Sequence, residues 1–431
     1  MSERIGKLRW EICALVFFAT TINYLDRAVI SLLKSDLEKQ FSWTESDYSQ
    51  IVIAFQCSYA IGLLLAGRLI DYLGTKAGYA YSILLWSIAA MAHAAVSSTG
   101  GFMVARAALG FSEAGNFPAA VKTITEWFPQ RERAFATGIF NAGTALGAIL
   151  APLTVPFIAV AMGWQWAFII TGAVGFVWLV FWQRGYAKPA AHARITEKEL
   201  AYINSDGDEK NEALAEDKSV SWLAIIRFRQ AWAFILGKFL TDPVWWFYLF
   251  WLPAYLKAQY GLEQTAVALP VALVYVMSAV GSVIGGWLPL YLIKSGQPVF
   301  RARKAAMFLY ALGALPVLLV QKAGAVNMWW AVLIIGLAAA AHQAWSANIY
   351  TTASDMFPKK AVASVIGMGG MAGAVGGMLI AYLAGKLFDH YKMIGNLEKG
   401  YTIMFAICSV AYLFTWLLMQ VLAPRMRRVQ V

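Results

Sequence analysis

Long apolar runs separated by short polar loops cover the chain from end to end. A helix needs about 20 apolar residues to cross the hydrocarbon layer of a bilayer. Twelve runs meet that length, at roughly residues 10–33, 48–70, 77–97, 100–125, 134–160, 164–187, 230–257, 266–293, 303–321, 326–352, 361–386 and 401–423. One long polar stretch, 188–222, is rich in Glu, Asp, Lys and Asn and reads as a solvated linker with a short amphipathic helix around Ile195–Ile203. It separates 1–187 from 223–431, each with six spans. The pattern predicts an all-α polytopic membrane protein with 12 transmembrane helices arranged as two six-helix bundles.

Composition agrees. The 431 residues are 60% hydrophobic and only 14% charged, against about 25% charged in soluble domains, and the mean hydropathy is +0.59. The net charge of +11 raises the question of nucleic acid. The placement of the charges answers it: with the N-terminus in the cytoplasm, most Lys and Arg residues fall in cytoplasmic loops, the positive-inside pattern. The basic balance then reflects topology and anionic lipid, and no nucleic-acid partner is expected. Arg4, Lys7 and Arg9 precede the first run like a signal-peptide n-region, but that run is long and contains Asn23, Asp26 and Arg27, so it reads as an uncleaved first span. Cys13, Cys57 and Cys408 lie in apolar segments without ligand spacing and read as packing residues, so neither disulfides nor a metal site is expected. No Walker motif, nucleophile elbow or metal cluster is present in the sequence, which argues against an enzyme, a cofactor or a primary pump.

The two halves of the chain are related. Glu126-Trp127-Phe128-Pro129, followed by Gly138 and Gly147, is matched by Asp355-Met356-Phe357-Pro358, followed by Gly367 and Gly376, all at one constant offset. Such register supports a parallel six-plus-six duplication. The same offset carries Glu113 onto His342. Gly138, Gly143 and Gly147, with Gly367, Gly369, Gly373 and Gly377, give small-residue faces that let helices pack closely and rock against each other.

Four charged side chains lie where lipid would exclude them: Asp26 and Arg27 in the first span, Arg106 and Glu113 in the fourth. A charge at the bilayer centre costs at least about 2.5–3.5 kcal/mol, so the four predict a polar chamber inside the bundle. Adjacent residues on a helix project about 100° apart, so Asp26 and Arg27 do not share a partner; one faces the cavity and the other a neighbouring helix. Arg106 and Glu113 share a face, about 10 Å apart along the axis, too far for a tight pair. A substrate carboxylate or a group from another helix would fill that gap. Arginine keeps its charge and offers a planar fork to a carboxylate. A buried carboxyl group tends to hold a proton unless an arginine compensates it, so a substrate that engages and releases that arginine changes the acid's hold on its proton. This is the chemistry of proton–anion symport, and a monoanion plus one proton leaves the chamber neutral.

The loop after the second span, Gly67-Arg68-Leu69-Ile70-Asp71-Tyr72-Leu73-Gly74-Thr75-Lys76, resembles the G-x-x-x-D-x-x-G-x-[RK] signature of the major facilitator superfamily. In that family the motif latches one side of the protein in one conformation, which makes Gly67, Asp71, Gly74 and Lys76 gating candidates. The counterpart Gly286-Trp287-Leu288-Pro289-Leu290 lacks the acid. Tyr24-Leu25-Asp26-Arg27, Arg106 with Glu113, and Glu126-Trp127-Phe128-Pro129 with Glu132-Arg133-Ala134 extend the resemblance to the superfamily's anion:cation symporter branch. Leu73–Ala80, Trp166–Gly172 and Ala341–Ala344 are similar to segments of bacterial hexuronate permeases. The resemblance implies the MFS fold and uptake of a sugar-acid anion, a hexuronate such as glucuronate or galacturonate, with protons by alternating access. It also implies a functional monomer in the bacterial inner membrane with both termini cytoplasmic. An aldonate, aldarate or other organic anion is the alternative substrate. By the same resemblance Asp26 and Glu113 are the proton-coupled acids, Arg27 and Arg106 engage or gate the carboxylate, and Tyr59 bonds the substrate.

Composition alone adds Gln56, Asn141 and Thr144 in the first half, and Trp246, Tyr248, His342, Gln343, Trp345, Ser346 and Asn348 in the second. Amides and hydroxyls suit sugar hydroxyls, and aromatic faces stack on pyranose C–H surfaces; for each residue the other reading is a polar group satisfied within the bundle. Lys238 and Asp242, four apart on one helix face, read equally as a structural pair ahead of Pro243 and as cavity residues. The expectation is therefore charge recognition in the N-terminal six spans and recognition of the sugar body in the C-terminal six. An exchanger of organic or phosphorylated anions would use the arginines but has less need of two buried acids. A sensor or a channel has less need of the duplication and the facing glycines.

Overall fold

The computed structural model describes residues 6–205, 222–357, 359–426 and 429. Residues 206–221, the later part of the expected linker, lie outside that set, as do Pro358 and the side chains of Asp71, Arg133 and Ala134.

The described chain folds into helices in the order α1 (Leu8–Phe41), α2 (Glu45–Leu73), α3 (Thr75–Ala92), α4 (Thr99–Glu113), α5 (Asn116–Trp127), α6 (Gln130–Met162), α7 (Trp164–Gly185), α8 (Glu197–Ile203), α9 (Trp222–Ile225), α10 (Arg229–Tyr260), α11 (Ala268–Lys294), α12 (Val299–Ala314), α13 (Val320–Val326), α14 (Met328–Met356), α15 (Lys359–Met393) and α16 (Leu397–Leu422). Nine described helical stretches are long and apolar enough to cross a membrane. The other crossings are α3, the α4–α5 pair and α10, whose sequences are less uniformly apolar.

Two expected spans are broken. The fourth ends as α4 at Glu113 and restarts as α5 at Asn116. Pro118 has no N–H to bond the carbonyl four residues back, and at Gly115 an added Cβ would lie 2.1 Å from the Ser82 hydroxyl oxygen, so α3 and this corner need a glycine to approach. The ninth breaks at Pro316 into α12, a 3₁₀ turn (Leu315–Leu319) and α13. The amphipathic helix expected in the linker is α8, and it is docked rather than solvated. Its Glu199, 1% exposed, accepts the Leu8 and Arg9 backbone N–H groups at 3.3 and 3.1 Å, which satisfies the free donors at the start of α1.

Within the first half α1 packs on α6, α2 on α4, and α3 on α7; within the second α10 packs on α15 and α11 on α14. The duplicated acidic motif has one job in both halves. Glu126 accepts from the hydroxyls of Thr75 (2.6 Å) and Tyr186, and Asp355 pairs with Arg303. Each ties the end of one crossing to the start of another, over fully buried Trp127, Phe128, Met356 and Phe357. The small-residue faces are only partly as expected. Gly143 and Gly147 lie against α1, where a Cβ would come within 2.4 Å of the Phe17 carbonyl oxygen and 2.3 Å of the Thr21 carbonyl oxygen. Gly138 and Gly367 face open space instead. Cys57 is likewise exposed rather than packed, while Cys13 and Cys408 are buried.

The halves meet along α2–α15, α6–α11 and α1–α10, and the polar links between them that the described residues form lie at the end opposite the N-terminus. The Glu45 and Ser46 backbone N–H groups at the start of α2 donate to the two carboxylate oxygens of Asp389 on α15, at 2.8 and 3.0 Å. Lys34 holds Glu38 and Glu45, and Lys392 approaches Glu45 at 3.7 Å. Lys257 donates to the Leu32 carbonyl at 3.2 Å, and the Tyr48 hydroxyl to the Phe250 carbonyl at 2.9 Å. Beneath them, rings of α2 and α10 form an aromatic plug: Phe55 against Trp246 and Phe250, and Tyr48 against Trp251. These contacts close the chamber at that end.

Removing a helix cap costs about 1 kcal/mol, close to a fivefold change in an equilibrium. Asp389→Ala is expected to raise the population open at the capped end by about that factor. The check is maleimide labelling of a cysteine at Ser49, which is buried under Gly385, in a background with Cys57 replaced. A labelling rate unchanged by Asp389→Ala would remove this cap from the gate.

Candidate functional site

Arg27 enters the chamber from α1 at the level of the aromatic plug. Its Nε and Nη2 donate to one oxygen of Glu113, Oε2, at 3.0 and 2.9 Å, and Nη2 also reaches Asn23 Oδ1 at 3.3 Å. The pair is almost wholly buried, 3% and 0% exposed in its side chains. The guanidinium lies 4.7 Å from the ring centroid of Tyr24, 4.8 Å from Tyr59, 5.2 Å from Phe55 and 5.7 Å from Trp246. Four rings around one cation supply quadrupolar attraction where water does not. Arg106 sits behind it, its Nη2 donating to the Arg27 carbonyl at 3.2 Å and its guanidinium 5.5 Å from Phe55. The gap between Arg106 and Glu113 is thus filled from another helix, by Arg27. The break after Glu113 leaves that carboxylate on the last residue of α4.

Around this pair several polar atoms are buried without a hydrogen-bond partner: Asn23 Nδ2, both amide atoms of Gln56, Arg106 Nη1 and Glu113 Oε1. Native proteins pair nearly all buried polar groups. A cluster of free donors and acceptors beside two guanidinium groups suits a small polar anion, with Arg106 Nη1, Asn23 Nδ2 and the Gln56 amide as further donors to it.

Asp26 points the other way. It is 1% exposed, both its oxygens lack a partner, and its polar neighbour is Thr171 on α7. The hydroxyl of Thr171 reaches its own helix's Phe168 carbonyl only at 3.5 Å, so it is loosely held. Asp26 remains within electrostatic reach of Glu113 and Arg106.

The remaining candidates divide by direction. Tyr59 stacks on Phe55 at 5.8 Å. Trp246 covers Arg27, with Gln56 beside it; an added Cβ on Gly377 would lie 2.7 Å from Trp246 and 2.9 Å from Gln56 Nε2. Asn141 is exposed and Thr144 bonds the Asn141 carbonyl; neither touches Arg27 or Glu113. His342 is buried behind the wall, stacked on Trp245 at 5.2 Å and 2.7 Å from the Tyr412 hydroxyl. Trp345 packs on Tyr412, and Tyr248, 2% exposed, packs on Phe247. The Asn348 amide donates to the Gly285 and Ala344 carbonyls at 2.6 and 2.9 Å, joining α14 to α11. Gln343 and Ser346 are half-buried. Of the gating candidates, Gly74 carries a φ of +77° between α2 and α3, the Lys76 carbonyl accepts from Trp182 Nε1 at 3.0 Å, and Gly67 stands free. The side chain of Asp71 lies outside the described residues.

Two features were missing from the sequence reading. Asn23 and Tyr24 fall four and three residues before Arg27, on its side of α1, a spacing that was visible. Phe55 had no signal beyond its neighbour Gln56. The pair that the spacing of Lys238 and Asp242 allows is formed on α10, Lys238 Nζ to Asp242 Oδ2 at 2.8 Å, with Lys238 also donating to the Tyr350 hydroxyl at 2.9 Å.

Known proteins share this sequence and fold. Residues 16–381 match the Major Facilitator Superfamily. The chain is 33% identical over 410 residues to the hexuronate transporter of Escherichia coli strain K12, covering 95% of this chain and 92% of the relative. It is 36% identical over 287 residues to the galacturonate transporter of Dickeya chrysanthemi, covering 67% and 83%. The solved structure of a D-xylose-proton symporter superposes with a TM-score of 0.77 at 15% identity, covering 98% of this chain and 100% of that one, and so shows the same fold. The chain belongs to the Major Facilitator Superfamily and is a membrane transporter of its twelve-helix fold.

Proposed function

We propose that this protein carries a sugar-acid anion, a hexuronate such as galacturonate or glucuronate, into the cell together with protons. The observation that carries the reading is the buried Arg27–Glu113 pair set among unpartnered donors and acceptors. The named hexuronate and galacturonate transporters to which the chain is similar support the substrate class. The substrate carboxylate competes with Glu113 for Arg27, with Arg106 Nη1 as a further donor, while Tyr59, Gln56 and Trp246 meet the ring. Glu113 released from Arg27 is a buried acid without its counter-charge, and a proton is what neutralises it. Asp26, behind α1 and without an arginine of its own, is a second proton site.

The positive-inside rule puts the N-terminal end, with both termini, in the cytoplasm of a bacterial inner membrane. The Asp389 cap then closes the outer side. One chain encloses the chamber, so the monomer is the transporting unit.

The test is uptake of labelled galacturonate and glucuronate by proteoliposomes, with and without an inward proton gradient. Stimulation by the gradient supports the proposal. Gradient-insensitive counterflow alone would make the protein an exchanger, and no uptake of either sugar acid would overturn the substrate assignment.

A further inference from the structure

The reading above leaves one buried charged cluster without a task. Lys238 and Asp242, one turn apart on α10, are joined at 2.8 Å. Lys238 Nζ also donates to the Tyr350 hydroxyl of α14 and lies 4.3 Å from its ring centroid. The cluster is graded in depth: the lysine side chain is 4% exposed and that of Asp242 19%, while Tyr350 is exposed. The lysine therefore stands behind, and the carboxylate and phenol face the chamber.

Its position relative to the anion site is fixed by the helix. Asp242 and Trp246 are four residues apart on one face of α10, about 6 Å along the axis, and Trp246 is the ring beside Arg27. From the other wall, Tyr24 touches the Arg27 guanidinium and lies within electrostatic reach of Tyr350. The cluster thus stands about one turn from Arg27 toward the N-terminal end of α10, a step comparable with the width of a pyranose ring. Room for the carboxylate is built in: an added Cβ on Gly373 of α15 would lie 2.2 Å from Asp242 Oδ2.

We propose that Lys238, Asp242 and Tyr350 form a second subsite, on the C-terminal helices, that reads the hydroxyls of the sugar ring while Arg27 and Arg106 hold its carboxylate. The assignment rests on the sugar-acid reading and deepens it. The chemistry selects hydroxyls over a second carboxylate. An isolated ammonium would attract another anion, but Lys238 is already neutralised by Asp242, so the pair has little net charge to offer one. A paired ammonium and carboxylate instead present donors and acceptors side by side. Two of the three Lys238 donors are engaged, by Asp242 and Tyr350, and a carboxylate has about four acceptor positions. A ring hydroxyl can donate to Asp242 while a neighbouring hydroxyl oxygen accepts from Lys238 or Tyr350. The subsite therefore discriminates polyhydroxylated acids from plain carboxylates, and it ties the two halves together through one substrate.

The test compares binding of galacturonate with binding of cyclohexanecarboxylate, which has a carboxylate on a six-membered ring and no hydroxyls. Purified protein is titrated by tryptophan fluorescence. The variants are Asp242→Asn, which keeps the shape of the side chain, and Tyr350→Phe, which removes one hydroxyl and keeps the ring. Loss of a hydrogen bond at a charged group weakens binding by about tenfold or more. The expected result is about that loss for galacturonate in Asp242→Asn, a smaller loss in Tyr350→Phe, and cyclohexanecarboxylate affinity within about twofold of the parent in both. The ratio of the two affinities is the readout, because a merely structural pair would move both together. Equal weakening of both ligands, or no change in either, would overturn the subsite and leave the sugar-acid reading standing. A parent protein that binds cyclohexanecarboxylate as well as galacturonate would also overturn the subsite, and one that binds neither would overturn it together with the sugar-acid reading.

Discussion

Arg27→Ala is expected to reduce uptake of hexuronate at low concentration by about two orders of magnitude or more. Truncating one partner of a buried, hydrogen-bonded charge pair costs about 2–5 kcal/mol, and each 1.4 kcal/mol is a tenfold change. Arg27 is such a partner twice over in this account: for Glu113 in the empty chamber, at 2.9 and 3.0 Å, and for the substrate carboxylate when loaded. Its removal also leaves Glu113 buried with no counter-charge, and the four rings around the guanidinium lose their cation. Arg27→Lys keeps the charge but not the planar fork, so it is expected to retain intermediate activity. Initial uptake rates in proteoliposomes, with the melting temperature of each variant alongside, separate lost binding from lost folding. Uptake by Arg27→Ala within threefold of the parent would remove Arg27 from the substrate site.

Glu113→Gln is expected to abolish accumulation while leaving exchange. The amide is nearly isosteric and still bonds Arg27, but it cannot carry a proton across. With one proton per substrate, a gradient of one pH unit can drive about tenfold accumulation; the variant is expected to equilibrate labelled galacturonate to the outside concentration and stop. Preloaded vesicles should exchange at a rate near the parent's. Asp26→Asn provides the contrast, since Asp26 lies toward Thr171 and its oxygens bond no arginine, and a smaller loss of accumulation is expected. If Glu113→Gln accumulates substrate as the parent does, Glu113 is not a required coupling acid.

Much of this was legible in the sequence, for definite reasons. Lipid demands long apolar runs, so the crossings were visible as runs. It also penalises charge, so Arg27, Arg106, Asp26 and Glu113 stood out. The 100° step between neighbours on a helix foretold that Asp26 and Arg27 would face different helices, although not which would face the chamber. The pairing of Arg27 with Glu113 was not legible, because it depends on how α1 and α4 lie against each other. The break after Glu113 was signalled by Pro118 but masked by the apolar run around it.

The C-terminal half misled for a different reason. The duplication gives depth but not direction. His342 occupies the position of Glu113 yet turns to Trp245 and Tyr412, and Asn348 is consumed by two carbonyls. Lys238 and Asp242 had the spacing of a pair, and only the placement of Tyr350 beside them and of Gly373 opposite marks the pair as part of the wall.

The central claim is that substrate and proton move together because they share Arg27 and Glu113. Its most direct test is proton flux: galacturonate is added outside proteoliposomes that hold a trapped pH indicator, with no imposed gradient and with potassium and valinomycin present to clamp the membrane potential. Prompt acidification of the lumen is expected with the parent protein and none with Glu113→Gln. Galacturonate uptake by the parent without acidification, or acidification by Glu113→Gln at the parent's rate, would contradict it.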